Sequence, residues 1–546
     1  MERWDHETDV LCVGGGAAAL TAAAVATNAG SAVTVLEKGP VLGGTTARSG
    51  GVFWVPNHFL LRQQGIDDRK VDALRYMCRY SYPESYDPDS PTLGLDEEAF
   101  RQIEAFYDNG APMVDHLREI GALHVRQFNA NFGGEAPLDY LSHVPENKTS
   151  AGRPLVPAKA DGSEGNGFEM VSQLEAFLER GGATILADHA VRRMIVRDGA
   201  VVGLEVEHEG QTLNFRARKG VIFGSGGYAN NPELVQRYQQ PFHYGTCASA
   251  LATGDLIPMA QAVGAQIGNM SSGWRTTVVF EEAIRNRVLA TGSFMQPGDS
   301  MFVVNKYGKR VVNERRNYND RTRVHQNFDP SMAEFPNLLT FYIYDQRTAE
   351  AWAGNYPLSG SGRDAWYTIK GDSLEELTAK IDERLQQYAE HSGGVRLASD
   401  FAAQLEQTRE RFNGFARKGK DEDFGRGDQD YDRQWMSFFA GMRDDTDWPA
   451  NDLPNPTMHP LREDGPYYCI ILAPGFLDTN GGPVINHEAQ VVDGFGRPIP
   501  GLYAAGNCVA SPARSAYYGA GGTLGLAMTF GYIAGHQVSG EPVRDA

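Results

Sequence analysis

The period of the apolar positions changes several times along the chain, and each change marks an element. Asp9 to Val13 is a short apolar strand, Ala17 to Asn28 an alanine-rich helix stopped by Gly30, and Ala32 to Leu36 a second strand ending at Glu37. Strand, turn, helix and strand in that order are a βαβ opening. Residues 59 to 125 carry helical periodicity, clearest from Glu98 to Leu117. Residues 128 to 168 are rich in Gly, Pro and Asn and predict a long loop, a length that usually signals function. A helix follows over Gly167 to Arg180, then alternating strands through Ala190 to Phe215. Lys219 to Gly227 reads as a buried strand running into a glycine turn.

From about Gly273 to Asp464 the chain becomes more polar, more aromatic and richer in Arg and Asp. The earlier pattern then returns: Gly501 to Asn507 is a strand ending in a turn, and Gly521 to Gly525 open a helix reaching about Val538. The predicted fold class is α/β. A Rossmann-like nucleotide-binding domain, residues 1–272 and 466–546, is interrupted by an inserted α+β catalytic domain, residues 273–465.

Composition narrows the partners. The 546 residues are 41% hydrophobic and 22% charged, as in ordinary globular chains. A net charge of −19 and a pI of about 5.2 argue against nucleic acid or an anionic membrane, which attract basic surfaces. No run approaches the roughly 18 apolar residues of a membrane span. The acidic N-terminus does not resemble a signal peptide, so a soluble, cytoplasmic protein is expected, with peripheral contact at a membrane left open. Cys12, Cys78, Cys247, Cys469 and Cys508 are widely spaced and odd in number, which predicts buried thiols and neither a disulfide framework nor a metal site. Asn147-Lys148-Thr149 matches a glycosylation triplet, read as chance without a secretory signal.

Gly14, Gly16 and Ala19 form Gly-x-Gly-x-x-Ala between a strand and a helix. The first glycine permits the tight turn, the second lets a pyrophosphate approach the backbone, and the small third residue lets helix and strand pack. The helix start, with Ala17 and Ala18, offers free N–H groups and a positive dipole end to phosphates. Glu37, with Lys38 beside it, lies where a carboxylate accepts hydrogen bonds from a ribose. A glycine turn in an ordinary α/β protein is the plain alternative; the strand–turn–helix context and Glu37 favour a dinucleotide. FAD is favoured over NAD by Gly43, Gly44, Thr45, Thr46, Ser49, Gly50 and Gly51 directly after the second strand, where small residues let the chain pass a bulky extended cofactor. The turn at Gly506-Asn507 and the helix start at Gly522, Thr523 and Leu524 suit the flavin end, where a helix N-terminus stabilises an anionic pyrimidine edge.

With these motifs, together with Gly224-Ser225-Gly226-Gly227 and Thr253-Gly254-Asp255, the chain resembles the fumarate reductase/3-ketosteroid dehydrogenase flavoprotein superfamily over nearly its full length. The resemblance implies FAD contacts at Val191, Gly226, Gly227 and Asp255 in addition. The histidine that carries covalent FAD in some relatives is not apparent between Thr45 and Ser49, so non-covalent FAD is expected.

One branch of that superfamily clamps dicarboxylates with Arg and His. The other removes two hydrogens beside a ring ketone and uses tyrosines. In Gly308-Lys309-Arg310-Val311-Val312-Asn313-Glu314-Arg315-Arg316-Asn317-Tyr318, the frame is similar to both branches, but Tyr318 stands where the 3-ketosteroid dehydrogenases carry their catalytic tyrosine. Tyr517-Tyr518-Gly519-Ala520-Gly521 is similar to that branch's Tyr-Pro-Gly-Pro-Gly element, with both prolines replaced. The resemblance implies Tyr517 and the Gly521 N–H as holders of the ketone oxygen, Tyr318 as the base, and Tyr140 as its hydrogen-bonding assistant. Arg514 and His325 read as structural groups and not as a carboxylate clamp, while the arginines at 315 to 323 read equally as a solvated face or as help for the base. The implied activity is 3-ketosteroid Δ1-dehydrogenation of an apolar ketone, with electrons passed on to an acceptor. Δ4-dehydrogenation, a fumarate-reductase-like reductase of an unsaturated acid, and a flavin-binding protein without turnover are the alternatives.

Overall fold

The computed structural model describes residues 3–544. Its first sheet is built around the strand His6–Val13, with Val33–Leu36 on one side and Gln211–Phe223 on the other, all parallel. Thr184–Leu186 extends it beyond Val33–Leu36, and Pro498–Ala504 joins in parallel to Gln211–Phe223. The register sets Val10 opposite Val33 and Leu11 opposite Val221, so the apolar runs of the three central strands lie side by side. Parallel strands need cover on both faces, which is why these runs do not alternate. Two antiparallel strands, Ala190–Arg197 and Ala200–His208, attach through the latter to Gln211–Phe223.

Two buried helices pack on one another against this sheet. Ala17–Asn28 is alanine-rich because the C-terminal helix, Gly522–Gly540, lies almost in backbone contact with it. A Cβ on Gly531 would stand 2.4 Å from the Ala18 carbonyl oxygen, and one on Gly535 would stand 2.7 Å from that of Ala22. The N-termini of these two helices are unusual. Glu97–Glu119 and Gly167–Arg180 start as helices ordinarily do, with Asp96 and Asn166 accepting from backbone N–H groups of the first turn and Glu residues following. Ala17–Asn28 and Gly522–Gly540 have neither a side-chain cap nor an acidic residue in the first turn.

The second sheet centres on Tyr467–Thr479, which pairs antiparallel with Gly273–Val279, Thr340–Asp345 and Ile369–Gly371 and in parallel with Gly245–Thr246. This sheet runs across the expected boundaries at 273 and 465. The sheet takes residues from before 273 and after 465, because an apolar run such as Tyr467–Thr479 declares a buried strand without declaring its sheet. Residues 128–168 depart from the expected long loop as well. They contain the short 3-10 turn Ala130–Phe132 and the strand Pro154–Pro157, which sits between Phe53–Trp54 and Val125–Gln127 in a small antiparallel sheet. Four of the five cysteines are buried and all five are free. Among the described residues no helix is long and apolar enough to cross a membrane.

Candidate active site

The strands of the first sheet end at a cavity of about 920 Å3, walled also by residues of the second sheet and of the 128–168 region. Of the residues expected to contact the cofactor, Gly14, Gly16, Ala17, Ala18, Glu37, Lys38, Gly44, Thr45, Thr46, Ser49, Gly50, Gly51, Val191, Gly226, Asp255, Gly506, Asn507, Thr523 and Leu524 line it. Gly43, Gly227 and Gly522 do not, and each has a reason to lie behind the wall. The Gly43 N–H donates to the Gly15 carbonyl at 2.8 Å. The Gly227 N–H donates to Asp478 at 3.0 Å. Gly522 packs against the Tyr517 ring.

The glycine turn is held from two sides. Glu37 accepts from the Gly15 N–H and the Gly39 N–H, each at 2.7 Å. Burial raises the Glu37 carboxyl above its ordinary range, and those two N–H groups oppose the rise. Lys38 donates to Asp255 and Thr253, each at 2.7 Å, tying the second strand to the 253–255 turn. The two uncapped helix starts therefore both open on this cavity, with Thr46 accepting from only one amide of the first helix, that of Ala17, at 3.0 Å. Bare N–H groups with aligned dipoles are binding sites for negative charge. A pyrophosphate at Gly14–Ala18 and a flavin pyrimidine edge at Thr523–Leu524 fit these two places.

Another part of the wall is phenolic. Tyr140, Tyr318 and Tyr517 surround one point, with ring centroids 5.7 Å apart for Tyr140–Tyr318, 5.3 Å for Tyr140–Tyr517 and 5.5 Å for Tyr318–Tyr517. They come from three distant segments. Tyr140 follows the 128–138 loop, Tyr318 starts the short helix Tyr318–Thr322, and Tyr517 precedes the C-terminal helix. The Tyr140 carbonyl accepts from Arg316 at 2.8 Å, which brings the first two together. Gly521 adopts φ +88°, open to glycine and strained for other residues, and a Cβ there would meet the Val52 and Phe53 backbone at 2.5 Å.

All three phenols are pushed above their ordinary range, burial being the main cause. Against burial, the Tyr318 and Thr523 hydroxyls and the Gly521 N–H lower Tyr517. The Tyr140 hydroxyl, by contrast, is buried and has no hydrogen-bond partner among the described residues. The rings of Tyr140 and Tyr318 meet edge to face, and the two hydroxyls act on one another: Tyr318 raises Tyr140, while Tyr140 opposes the rise at Tyr318. A buried, unpaired hydroxyl on a cavity wall is costly unless a ligand meets it.

Sequence reasoning missed several neighbours. Tyr431, from the helix Asp430–Ala440, packs edge-on against Tyr140 at 5.7 Å. Trp274 and Phe294 press on Tyr517 and Tyr318 at 5.4 and 5.0 Å. Asp478 lines the cavity, accepts from Gly227 and Asn507, and is pushed up by burial to about 6. An acidic residue closing the apolar run Tyr467–Thr479 was the available signal for the last. Arg514 and His325 stand away from the cavity wall. Arg514 pairs with Glu84, and His325 is buried against the Asn337 and Leu338 carbonyls. The arginines at 315 to 323 do not form a solvated face. Arg315 and Arg321 are buried on backbone carbonyls, Arg316 pairs with Asp432, and Arg323 alone of the four is exposed.

Glycine turns and two bare helix starts around one cavity, with a cluster of phenols on its wall, define an FAD-dependent oxidoreductase. The chain belongs to the family described as FAD binding domain, which matches residues 9–524. It is 32% identical to 4-oxocyclohexanecarboxylate 2-dehydrogenase of Sinomonas cyclohexanicum, over 98% of this chain and 93% of that protein. It is 30% identical to 3-oxosteroid 1-dehydrogenase of Mycolicibacterium smegmatis, over 97% of this chain and 96% of that one. The solved structure of 3-ketosteroid Δ1-dehydrogenase from Sterolibacterium denitrificans, in complex with 1,4-androstadiene-3,17-dione, superimposes with a TM-score of 0.79 at 26% identity, covering 98% of this chain and 99% of that one.

Proposed function

We propose that this protein introduces a carbon–carbon double bond next to a ring ketone, with Δ1-dehydrogenation of a 3-ketosteroid as the reading best supported. The observation that carries it is the meeting of Tyr140, Tyr318, Tyr517 and the Gly521 backbone on one stretch of cavity wall. Tyr517 and the Gly521 N–H hold the ketone oxygen and stabilise the charge that develops there when the α proton leaves. A single donor of this kind is worth about 3–4 kcal/mol. Tyr318 takes the proton from the α carbon, and Tyr140 donates to the Tyr318 oxygen as it ionises. Bound FAD supplies the acceptor for the hydride that leaves the β carbon. The aromatic walls, Phe294, Trp274 and Trp435, exclude water and suit an apolar ring. Arg514 and His325 standing outside the cavity wall weighs against the reductase of an unsaturated acid.

The full-length likeness to a 4-oxocyclohexanecarboxylate dehydrogenase supports a second substrate, a single ring ketone, for the same chemistry. Anaerobic mixing of the holoprotein with a 4-ene-3-ketosteroid and with 4-oxocyclohexanecarboxylate separates the two. Bleaching of the flavin by the steroid, with a 1,4-diene as product, is the expected result. Bleaching by the single-ring acid alone assigns the second substrate, and bleaching by no ring ketone defeats the proposal.

The pH dependence follows from the state of Tyr318. The base acts as a phenolate, and burial holds its pKa well above the ordinary value of about 10. Its ionised fraction therefore grows tenfold per unit as pH rises. Log kcat/KM is expected to climb with a slope near one from about pH 6 to about pH 10 without reaching a plateau. A profile flat over that range would remove Tyr318 as the base.

A further inference from the structure

Behind the phenols lies a polar group that does not touch the cavity. Arg153 is fully buried and donates through Nε and Nη2 to Asp68 at 2.8 and 2.7 Å. Through Nη1 it donates to Asp139 at 2.5 Å and to the Asn147 Oδ1 at 2.9 Å. Asp139 also accepts from the Trp54 indole N–H at 2.7 Å and from the Asn147 amide at 3.2 Å. Asp68, Asp139 and Arg153 are each 0% exposed, so these contacts replace all solvent. Asn147 is spent here, which answers the glycosylation triplet: its amide faces the interior.

Two backbone hydrogen bonds connect this group to the segment that precedes the C-terminal helix. The Trp54 N–H donates to the Gly521 carbonyl at 3.0 Å, and the Tyr140 N–H donates to the Tyr518 carbonyl at 3.2 Å. Trp54 is bound to the Asp139 carboxylate through its ring, and Tyr140 is the next residue in the chain. One carboxylate thus anchors both donors. Between the two bonds sits Gly519, where a Cβ would stand 2.8 Å from the Asp139 Oδ1 and 2.6 Å from the Trp54 ring. The segment rests directly on the anchor, and glycine is what lets it do so.

We propose that Asp139 is a positioning residue for the reaction: through Trp54 and Tyr140 it fixes the Tyr518–Gly521 backbone, and hence the Gly521 N–H, relative to the phenols. The inference rests on the function proposed above. A buried ion cluster by itself is weak evidence of stabilisation, since burying charge costs as much as pairing returns. Its placement at the joint between two site segments gives it a reason to persist. Asp68, on the far side of Arg153, makes the same kind of ion pair, but its carboxylate meets Arg153 and the Asn57 N–H and not the Tyr518–Gly521 segment. It is the natural control.

Asp139→Asn keeps the side chain's shape and an oxygen for the Trp54 indole, and Arg153 keeps its two-point pair with Asp68, so the variant is expected to fold. In the FAD-loaded enzyme Asp139→Asn should lower kcat about 100-fold with KM within about threefold, the cost of a small misplacement of a catalytic group. Hydrogen exchange at the Trp54 and Tyr140 amides should quicken about tenfold, in step with local opening. Asp68→Asn should lower the melting temperature while keeping kcat within about threefold and both amides protected. Trp54→Phe, which deletes one donor to Asp139, should lower kcat about tenfold and decides the matter if Asp139→Asn fails to fold. Wild-type kcat in Asp139→Asn, or equal losses in Asp139→Asn and Asp68→Asn, overturns the proposal. Should the wild type bleach with no ring ketone, the functional reading falls, and the exchange comparison still decides whether Asp139 holds the segment.

Discussion

Tyr318→Phe is expected to lower the rate of flavin reduction by a ring ketone about 1,000-fold, while leaving FAD bound and the melting temperature within a few degrees. The substitution removes one oxygen and no carbon, so the contacts of the ring with Phe294, Tyr140 and Tyr517 survive. What disappears is the proton acceptor at the α carbon. The other phenols do not replace it without leaving their own places, because Tyr140 and Tyr517 are buried among the aromatic rings of the wall, Tyr140 against Tyr431 and Tyr517 against Trp274. Anaerobic stopped-flow measurement of the 450 nm flavin band, a typical position for this chromophore, reads the step directly. A near-wild-type rate in a variant with full FAD content would mean that another group takes the proton.

That prediction was open to the sequence because the tyrosine lies eight positions after Arg310 in a short local frame. The elements recovered from pattern were local in the same sense. The helix over Gly167–Arg180 announces itself through an Asn cap and periodic apolar residues, and the βαβ opening through three adjacent runs. What escaped depends on distance along the chain. Tyr431 meets Tyr140 across nearly three hundred residues, and nothing near either position marks the partner. Asp139 reads as a loop carboxylate until the fold sets Trp54 and Arg153 beside it. Tyr467–Thr479 is a largely apolar, buried run, but apolar content reports that a strand is covered and says nothing of its neighbours. The prolines missing from the Tyr517–Gly521 element have a physical counterpart as well. Tyr518 is buried beside Trp54 and Tyr76, and its carbonyl accepts from both the Tyr140 N–H and the Tyr76 hydroxyl. The rigidity that a proline supplies through its ring is supplied here by hydrogen bonds.

Gly14→Ala has the other large expected effect, loss of FAD from the purified protein and with it all turnover. Gly14 has φ +110°, and a Cβ there would stand 2.6 Å from the Gly224 carbonyl oxygen and 3.2 Å from the Ser225 Cα. Neither contact is with a flexible side chain, so the backbone itself must move. Gly224 cannot recede, since a Cβ at Gly224 would already meet the Ala19 N at 2.6 Å: the end of the first strand, the start of the first helix and the end of Gln211–Phe223 touch at one point. Gly506 closes the same knot, with its Cβ position 3.1 Å from that of Ala18. An added methyl therefore displaces the bare helix start and the 224–227 turn together, and the anion site that depends on their alignment is lost. Strain of this kind costs about 1–3 kcal/mol before any clash is counted, so the fold is expected to survive at a lowered melting temperature. The ratio of flavin absorbance to protein after gel filtration checks it. One FAD per chain retained in Gly14→Ala would place the pyrophosphate elsewhere on the cavity wall and remove the basis for seating the cofactor at the first helix.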